Sequence, residues 1–194
     1  MSDANSYISQ ERRRMVQVRR ALARAVDGNR DQPQDLTSFY NACAEYIVYA
    51  QGRVHSQDQR IADRLKAGVP ADQVDGHGRI DELIKRLQIS RDLSAQFASA
   101  AQELRDKGAA QQKDFQEATE TFLTEVTKAL GSERNPLSDL TDQVMSSDDW
   151  RQVADATDDI IAQEETLFAQ VRASAPAGLD PADMPIGHPQ SWLD

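Results

Sequence analysis

The chain has 194 residues, enough for one domain with a buried core, and its aromatic content of 6% favours helices over a sheet. The formal net charge of −10 repels phosphate backbones and anionic membranes, so we expect neither nucleic acid nor a membrane as a partner. No segment approaches the roughly 20 apolar residues of a membrane span. There is no signal-peptide pattern, and Cys43 is the single cysteine, so a reducing, cytoplasmic location is expected.

Apolar residues at helical spacing predict two long helices in the first third of the chain. The first runs from about Ser6 to Val26, with Gly28 as its stop. A polar loop, residues 28–35, follows it. The second helix runs from about Thr37 to Lys66 and is closed by Gly68.

The same spacing predicts helices from about Asp75 to Lys107 and from about Ala110 to Leu130. A short helix to about Met145 opens at Asn135-Pro136, where an N-cap residue precedes proline. One final helix begins at Ser147 and continues through Val171. From Ala175 onward four prolines predict an extended tail.

Amphipathic helices with short joins are typical of a helical bundle. We therefore predict an all-α fold: an up-down four-helix bundle with an additional short helix and an extended C-terminal tail. The bundle domain spans residues 1–174 and the Pro-rich tail spans residues 175–194. Two states of the tail are open, packed along the bundle through Trp192 or mobile.

In each predicted helix the apolar residues form a row along one side. At a rotation of about 100° per residue, four carboxylates fall on or near these rows. Glu11 extends the row of the first helix, and Glu164 lies close to the centre of the row of the final helix. Glu133 is in phase if the fourth helix continues past Gly131, and Asp58 lies at the edge of its row.

A buried carboxylate without a partner costs several kcal/mol, so these groups need an explanation. One interpretation is a metal ion held by some of these carboxylates together with histidine. A second is a metal-free network in which Arg19, on the flank of the first row, pairs with Asp58 and Glu164. A third is that the four are rim residues, an interpretation that suits Glu11 best.

The three histidines offer a weak ligand set. His55 and Asp58 are spaced i, i+3 and could grip one ion, although His55 lies about 120° from its apolar row and is expected at a seam or in solvent. His77 lies on the flank of the first turn of the third helix. Its side chain is either a metal ligand or in contact with the local loop. His188 belongs to the tail.

Signals for an enzyme are absent from the sequence. No serine or cysteine stands at a motif spacing from a histidine, and no glycine-rich phosphate loop occurs. The arginines at 12–14, 19 and 20 form a solvated face or a nucleic-acid patch. Tyr46 and Tyr49 are interpreted as packing residues rather than redox residues.

Three stretches of the sequence resemble the hemerythrin-like (HHE-type) four-helix domain. They are RVHSQDQRIADRL at 53–65, GHGRIDELIKRL at 76–87, and FLTEVTKALGSERNPLSDLTDQVMSSDDWRQVA at 122–154. His55, His77 and Glu133 match ligand positions of that family. The resemblance implies a pair of non-haem iron ions that serves oxygen or redox sensing.

The chain departs from the family pattern at two ligand positions. Gln59 stands where the second-helix glutamate belongs, and Ala129 where the fourth-helix histidine belongs. The first helix has no histidine, and Glu11 is its only in-phase candidate ligand. The resemblance therefore allows either a mononuclear site that binds iron or a lost site without a cofactor.

Three functions are compatible with these observations. The first is a non-catalytic binding or regulatory bundle with a lost or reduced metal site. The second is a cation-binding protein, for iron, that draws its ligands from His55, Asp58, His77, Glu133 and Glu164. The third is a helical interaction protein that forms a homodimer or binds an unknown protein partner.

Overall fold

A computed structural model describes residues 3–31, 34–130 and 137–185, with side chains for residues 6–30, 34–128 and 137–185. In these ranges the chain forms helices and no β-strand, which confirms the all-α class. None of the helices in these ranges is long and apolar enough to cross a membrane. The α-helices are α1 (Asp3–Asp31), α2 (Thr37–Gly68), α3 (Val74–Lys107), α4 (Gln112–Leu130), α5 (Ser138–Val144), α6 (Ser147–Ala154) and α7 (Asp158–Ser174). Two short 3₁₀ helices are also present, at Gly108–Gln111 and Pro181–Asp183.

Helix α2 is the central element, since it packs against α1, α3, α5, α6 and α7. Its apolar residues recur every three or four positions, so one side of the helix is buried. Phe39, Cys43, Ile47 and Ala50 lie along this side. Tyr40 and Tyr46 are also fully buried, so α2 faces neighbours on more than one side. This explains why it holds more buried side chains than one apolar stripe would supply.

Contacts between side chains give the direction of the first three helices. Low-numbered residues of α1 meet high-numbered residues of α2, as in the contact of Arg12 with Asp58 and that of Ala25 with Tyr40. Lys66 at the end of α2 meets Asp81 near the start of α3. Helices α1 and α2 are therefore antiparallel, and so are α2 and α3.

Aromatic rings join α2, α3 and α4 in the largest apolar cluster. Phe97 stacks on Phe122 with ring centroids 4.5 Å apart and meets Phe115 at 5.6 Å. Tyr40 of α2 approaches Phe115 at 5.5 Å. Such tilted and stacked ring pairs stabilise the fold beyond the contribution of burying their apolar surface.

The structure corrects two predicted helix boundaries. Helix α1 does not stop at Gly28 but continues to Asp31, since glycine is tolerated inside a helix at a modest cost. The predicted final helix is two helices, because Asp155 adopts a left-handed conformation with φ of 45°. The Thr157 side chain then accepts a hydrogen bond from the Ile160 N–H and caps α7.

The first part of the predicted tail packs on the bundle. Its 3₁₀ helix, Pro181–Asp183, contacts α1 and α7, and Met184 is only 3% exposed. Gln17 of α1 donates to the carbonyl of Ala182 at 3.4 Å. Trp192 lies outside the described residues.

Two glycines of α2 provide a matched test of the packing between α2 and α5. A Cβ at Gly52 would meet nothing within 4 Å, whereas a Cβ at Gly68 would overlap Cγ1 of Val144. We expect Gly52→Ala to raise the free energy of unfolding by about 0.5–1 kcal/mol, because alanine loses less backbone entropy. Gly68→Ala should lower it by about 1 kcal/mol or more through overpacking. Urea denaturation measures both, and equal gains would contradict this packing.

Candidate functional site

The interior of the described chain holds two polar networks, and the first is built around Glu11. This α1 carboxylate is 1% exposed. Arg53 of α2 donates from Nε to Oε1 at 2.5 Å, and Gln57 donates from Nε2 to Oε2 at 2.7 Å. Arg53 also donates to the carbonyl of Ala154 at 2.8 Å. Both carboxylate oxygens of Glu11 are therefore occupied by donors from α2.

Glu164 of α7 is the second buried carboxylate and is also 1% exposed. Arg14 of α1 forms an ion pair with its Oε2, and the Tyr46 hydroxyl donates to its Oε1 at 2.6 Å. The Arg14 guanidinium lies 5.1 Å from the centre of the Phe168 ring, a favourable cation–π distance. Glu164 therefore joins α7 to both α1 and α2.

Three tyrosines surround these carboxylates and are kept in the neutral form. Burial, followed by the charge of Glu11, raises the pKa of Tyr7 to about 12. Burial and then the charge of Glu164 raise the pKa of Tyr46, and burial raises the pKa of Tyr49. Tyr49 donates to the carbonyl of Ile160 at 3.2 Å. The Tyr46 and Tyr49 phenols therefore act as hydrogen-bond donors, to Glu164 and to the Ile160 carbonyl.

The second network centres on His55 and lies between α1, α2 and α3. Its Nε2 lies 2.8 Å from Gln51 Nε2 and 2.8 Å from Ser90 Oγ. Gln51 Nε2 also donates to Ser90 Oγ at 3.2 Å, and its carbonyl oxygen accepts from the Arg19 guanidinium. With the Gln51 amide oriented in this way, Nε2 of His55 accepts, so the ring is neutral and carries its proton on Nδ1.

Burial and positive neighbours favour the neutral histidine. Burial, followed by the charge of Arg91, lowers the pKa of His55, and Arg19 acts in the same direction. Asp58 opposes this shift. Burial lowers the pKa of Arg19 to about 10, a value at which the guanidinium is still protonated at neutral pH. The second network thus carries a positive charge in the interior.

The predicted network of Arg19 with Asp58 and Glu164 is wrong. Arg19 hydrogen-bonds to Gln51, Asp58 pairs with Arg12 at 2.5 Å, and Glu164 pairs with Arg14. The three residues were assigned to one network because each lies near an apolar row. A row gives the direction of a side chain but not which helix it faces.

The proposed metal ligands lie apart from one another. His55 is in the second network, Asp58 is partly buried beside Arg12, and Glu164 is in the first network. His77 Nε2 lies 3.3 Å from the Pro70 carbonyl, at the local loop. Glu133 lies outside the described residues. In the part of the chain that the structure describes, no three His, Cys, Asp or Glu side chains are grouped so that they could hold a metal ion.

One interpretation of exposure is corrected: Glu11, which suited a rim position best, is among the most buried residues of α1. His55, expected at a helix–helix seam or in solvent, lies at the seam and is 7% exposed, because α3 covers that side of α2 through Ser90. Helical phase relative to one apolar row underestimates burial when a helix has neighbours on several sides.

Sequence reasoning missed most of the partners in both networks. Arg53 and Gln57 of α2 are four residues apart and share one face, whereas Gln51, two residues before Arg53, points to nearly the opposite side, roughly 160° away. Both sides read as polar in the sequence at these positions. The only available signal was the run of long polar residues beside small ones, which many solvent-facing helices share.

No protein-family model, curated protein or solved structure matches the chain. The functional argument therefore rests on the side chains themselves. Cys43 is buried among apolar residues, which raises the pKa of its thiol well above the usual value and disfavours the thiolate. The first network holds its charges in fixed pairs, whereas Arg19 in the second network donates to a neutral amide.

Removal of Arg53 tests the pairing of Glu11. Arg53→Met leaves a buried carboxylate without its cation, so we expect the free energy of unfolding to fall by about 3 kcal/mol. The double variant Glu11→Gln/Arg53→Met should be more stable than Arg53→Met alone, since no charge is then left behind. Urea denaturation measures both variants.

The matched control is Arg172→Met, which breaks the half-exposed pair with Asp180 and should cost less than about 1 kcal/mol. Similar losses for Arg53→Met and Arg172→Met would contradict the burial of the Glu11 pair.

The second network predicts a dependence of stability on pH. Because the pKa of His55 is depressed in the folded state, the unfolded chain takes up a proton first as the pH falls below the ordinary value of 6.5. The stability that His55 contributes is therefore complete above this pH and is lost on acidification.

We expect the free energy of unfolding of the native chain to fall relative to that of His55→Gln between about pH 7 and pH 5. Chemical denaturation across this range measures the difference, and a flat difference for His55→Gln would contradict the depressed pKa.

Proposed function

We propose that this chain is a non-catalytic helical binding or regulatory protein in which an interior metal site is lost or reduced. The observation that carries this proposal is the pairing of each buried carboxylate with an arginine. Glu11 is neutralised by Arg53 and Glu164 by Arg14. A bound metal ion would have to displace these guanidinium groups before it could use the carboxylate oxygens.

The surroundings of His55 support the same proposal. Its Nε2 lone pair is already used by the donors of Gln51 and Ser90. The Arg19 guanidinium lies in the same network and would repel a cation. A metal ion would therefore meet an occupied ligand atom and an unfavourable charge.

We further propose that α1 to α4 form an up-down four-helix bundle related to the hemerythrin-like domains. Contacts between α1 and α2, α2 and α3, α3 and α4, and α1 and α4 support this arrangement. The ion pair of Arg30, late in α1, with Glu120, near the middle of α4, joins the first and fourth helices. Within the relationship, Arg19 and Gln51 would take over the interior that a metal centre occupies in metal-binding members.

Iron loading tests this proposal. Purified protein is incubated anaerobically with excess Fe²⁺, desalted and assayed for bound iron by elemental analysis. We expect much less than one iron ion per chain, because among the described residues no three His, Cys, Asp or Glu side chains are grouped to hold an ion, and Glu11 and Glu164 are already paired with arginines.

Two variants sharpen the measurement. Arg19→Met removes the repelling cation beside His55, and Arg24→Met removes an exposed cation of the same helix as a control. Stoichiometric iron in the native chain that is lost in His55→Ala or His77→Ala would overturn the metal-free proposal in favour of a cation-binding protein.

A further inference from the structure

A cavity of about 320 Å³ lies between α1 and α4. This volume is at the lower end of the range of small-molecule sites, which is roughly 300–1,000 Å³. The walls come from two helices that meet along their length, so the site is made by the packing of the fold. The lining residues are Val16, Arg19, Arg20, Ala23, Leu123, Thr124, Val126, Thr127 and Lys128.

The lining combines apolar walls with positive charge. Three of its nine residues are cations and none is acidic, in a chain whose net charge is −10. Arg20 donates to the Pro185 carbonyl, which keeps its charge close to the cavity, whereas the charge of Lys128 is offset by its ion pair with Glu125 at 2.6 Å. A local positive potential in an acidic protein favours an anion at this place.

Arg19 is the cation whose own environment is incomplete. Its guanidinium donates to the neutral Gln51 amide and lies 5.6 Å from the centre of the Phe122 ring. Its Nε is buried and has no hydrogen-bond partner in the described chain. A buried donor on a cation normally finds an acceptor, and here the carboxylates Glu11, Asp58 and Glu164 are paired with other arginines.

We infer that this cavity, defined by its nine lining residues, binds a small amphipathic carboxylate. The carboxylate lies toward Arg19 and the hydrocarbon part lies against Val16, Ala23, Leu123 and Val126. This inference rests on the proposed function, since it names the ligand class of a non-catalytic binding protein. It assigns to Arg19 a role that the His55 network alone does not require.

The chemistry of the walls selects a monocarboxylate over a phosphate. A phosphate dianion is strongly hydrated and gains little from an aliphatic wall, whereas an alkyl carboxylate buries its chain there and keeps one charged end for the guanidinium. A neutral alkyl alcohol can use the wall but not the positive charge. These three ligand types therefore separate the contributions of shape and charge.

Titration calorimetry with sodium octanoate tests the inference on the full-length chain. We expect saturable binding of octanoate, weaker binding of 1-octanol and no binding of inorganic phosphate. Arg19→Gln should weaken octanoate binding about tenfold or more, because a charge-assisted hydrogen bond is lost. Arg24→Gln removes an exposed charge of the same helix that does not line the cavity and should leave binding unchanged.

A second pair of variants addresses the cavity without disturbing the His55 network. Ala23→Leu fills part of the volume and should also weaken octanoate binding about tenfold. Ala169→Leu, at an exposed position of α7, is its control. No saturable binding of octanoate, or equal binding by the native chain, Arg19→Gln and Ala23→Leu, would overturn the inference.

The result is independent of iron loading. If the chain binds neither iron nor octanoate, the carboxylate inference is wrong and the metal-free proposal stands. A chain that binds stoichiometric iron through His55 would overturn the proposed function whatever the octanoate titration gives.

Discussion

Charge taken out of water must be matched in the interior, and two glutamates impose this requirement on the packing of α1, α2 and α7. Glu11 needs Arg53 and Gln57 of α2, while Glu164 needs Arg14 of α1 and Tyr46 of α2. A slip of any helix along its neighbour would leave a buried charge unpaired, at a cost of several kcal/mol. These contacts therefore help to fix the register of α1, α2 and α7.

The two networks divide the interior into regions of different charge. Glu11 and Arg19 are eight residues apart on α1, which places them about 12 Å apart along the helix axis. Around Glu11 and Glu164, anions and arginines balance and the tyrosines stay neutral. Around His55, the positive charge of Arg19 faces a neutral amide, and the cavity between α1 and α4 lies on its other flank. Because the positive charge of the second network has no negative partner among the described residues, an external anion is a suitable ligand there.

Helical periodicity predicted the all-α class, most helix boundaries and the inward direction of Glu164, and it put Glu11 in phase with an apolar row although a rim position suited that residue best. It could not assign their partners, because Arg14 and Glu164 are 150 residues apart in the chain. It left His55 between a seam and solvent, since phase was measured against one apolar row and α2 has neighbours around much of its circumference. Long arginine side chains reach across a helix surface, so the position of their Cα says little about where the charge lies.

The unexpected break between α6 and α7 is linked to the first network. A helix end leaves its last carbonyl groups without intrahelical partners. Arg60 donates to the carbonyl of Gln152 at 3.1 Å and pairs with Asp155 at 2.8 Å, and Arg53 donates to the carbonyl of Ala154. Two arginines of α2 therefore satisfy the end of α6, where their charge also suits the negative end of the helix dipole. Because Arg53 binds Glu11 with the same guanidinium, the turn at Asp155 and the buried carboxylate of α1 stabilise each other through one side chain.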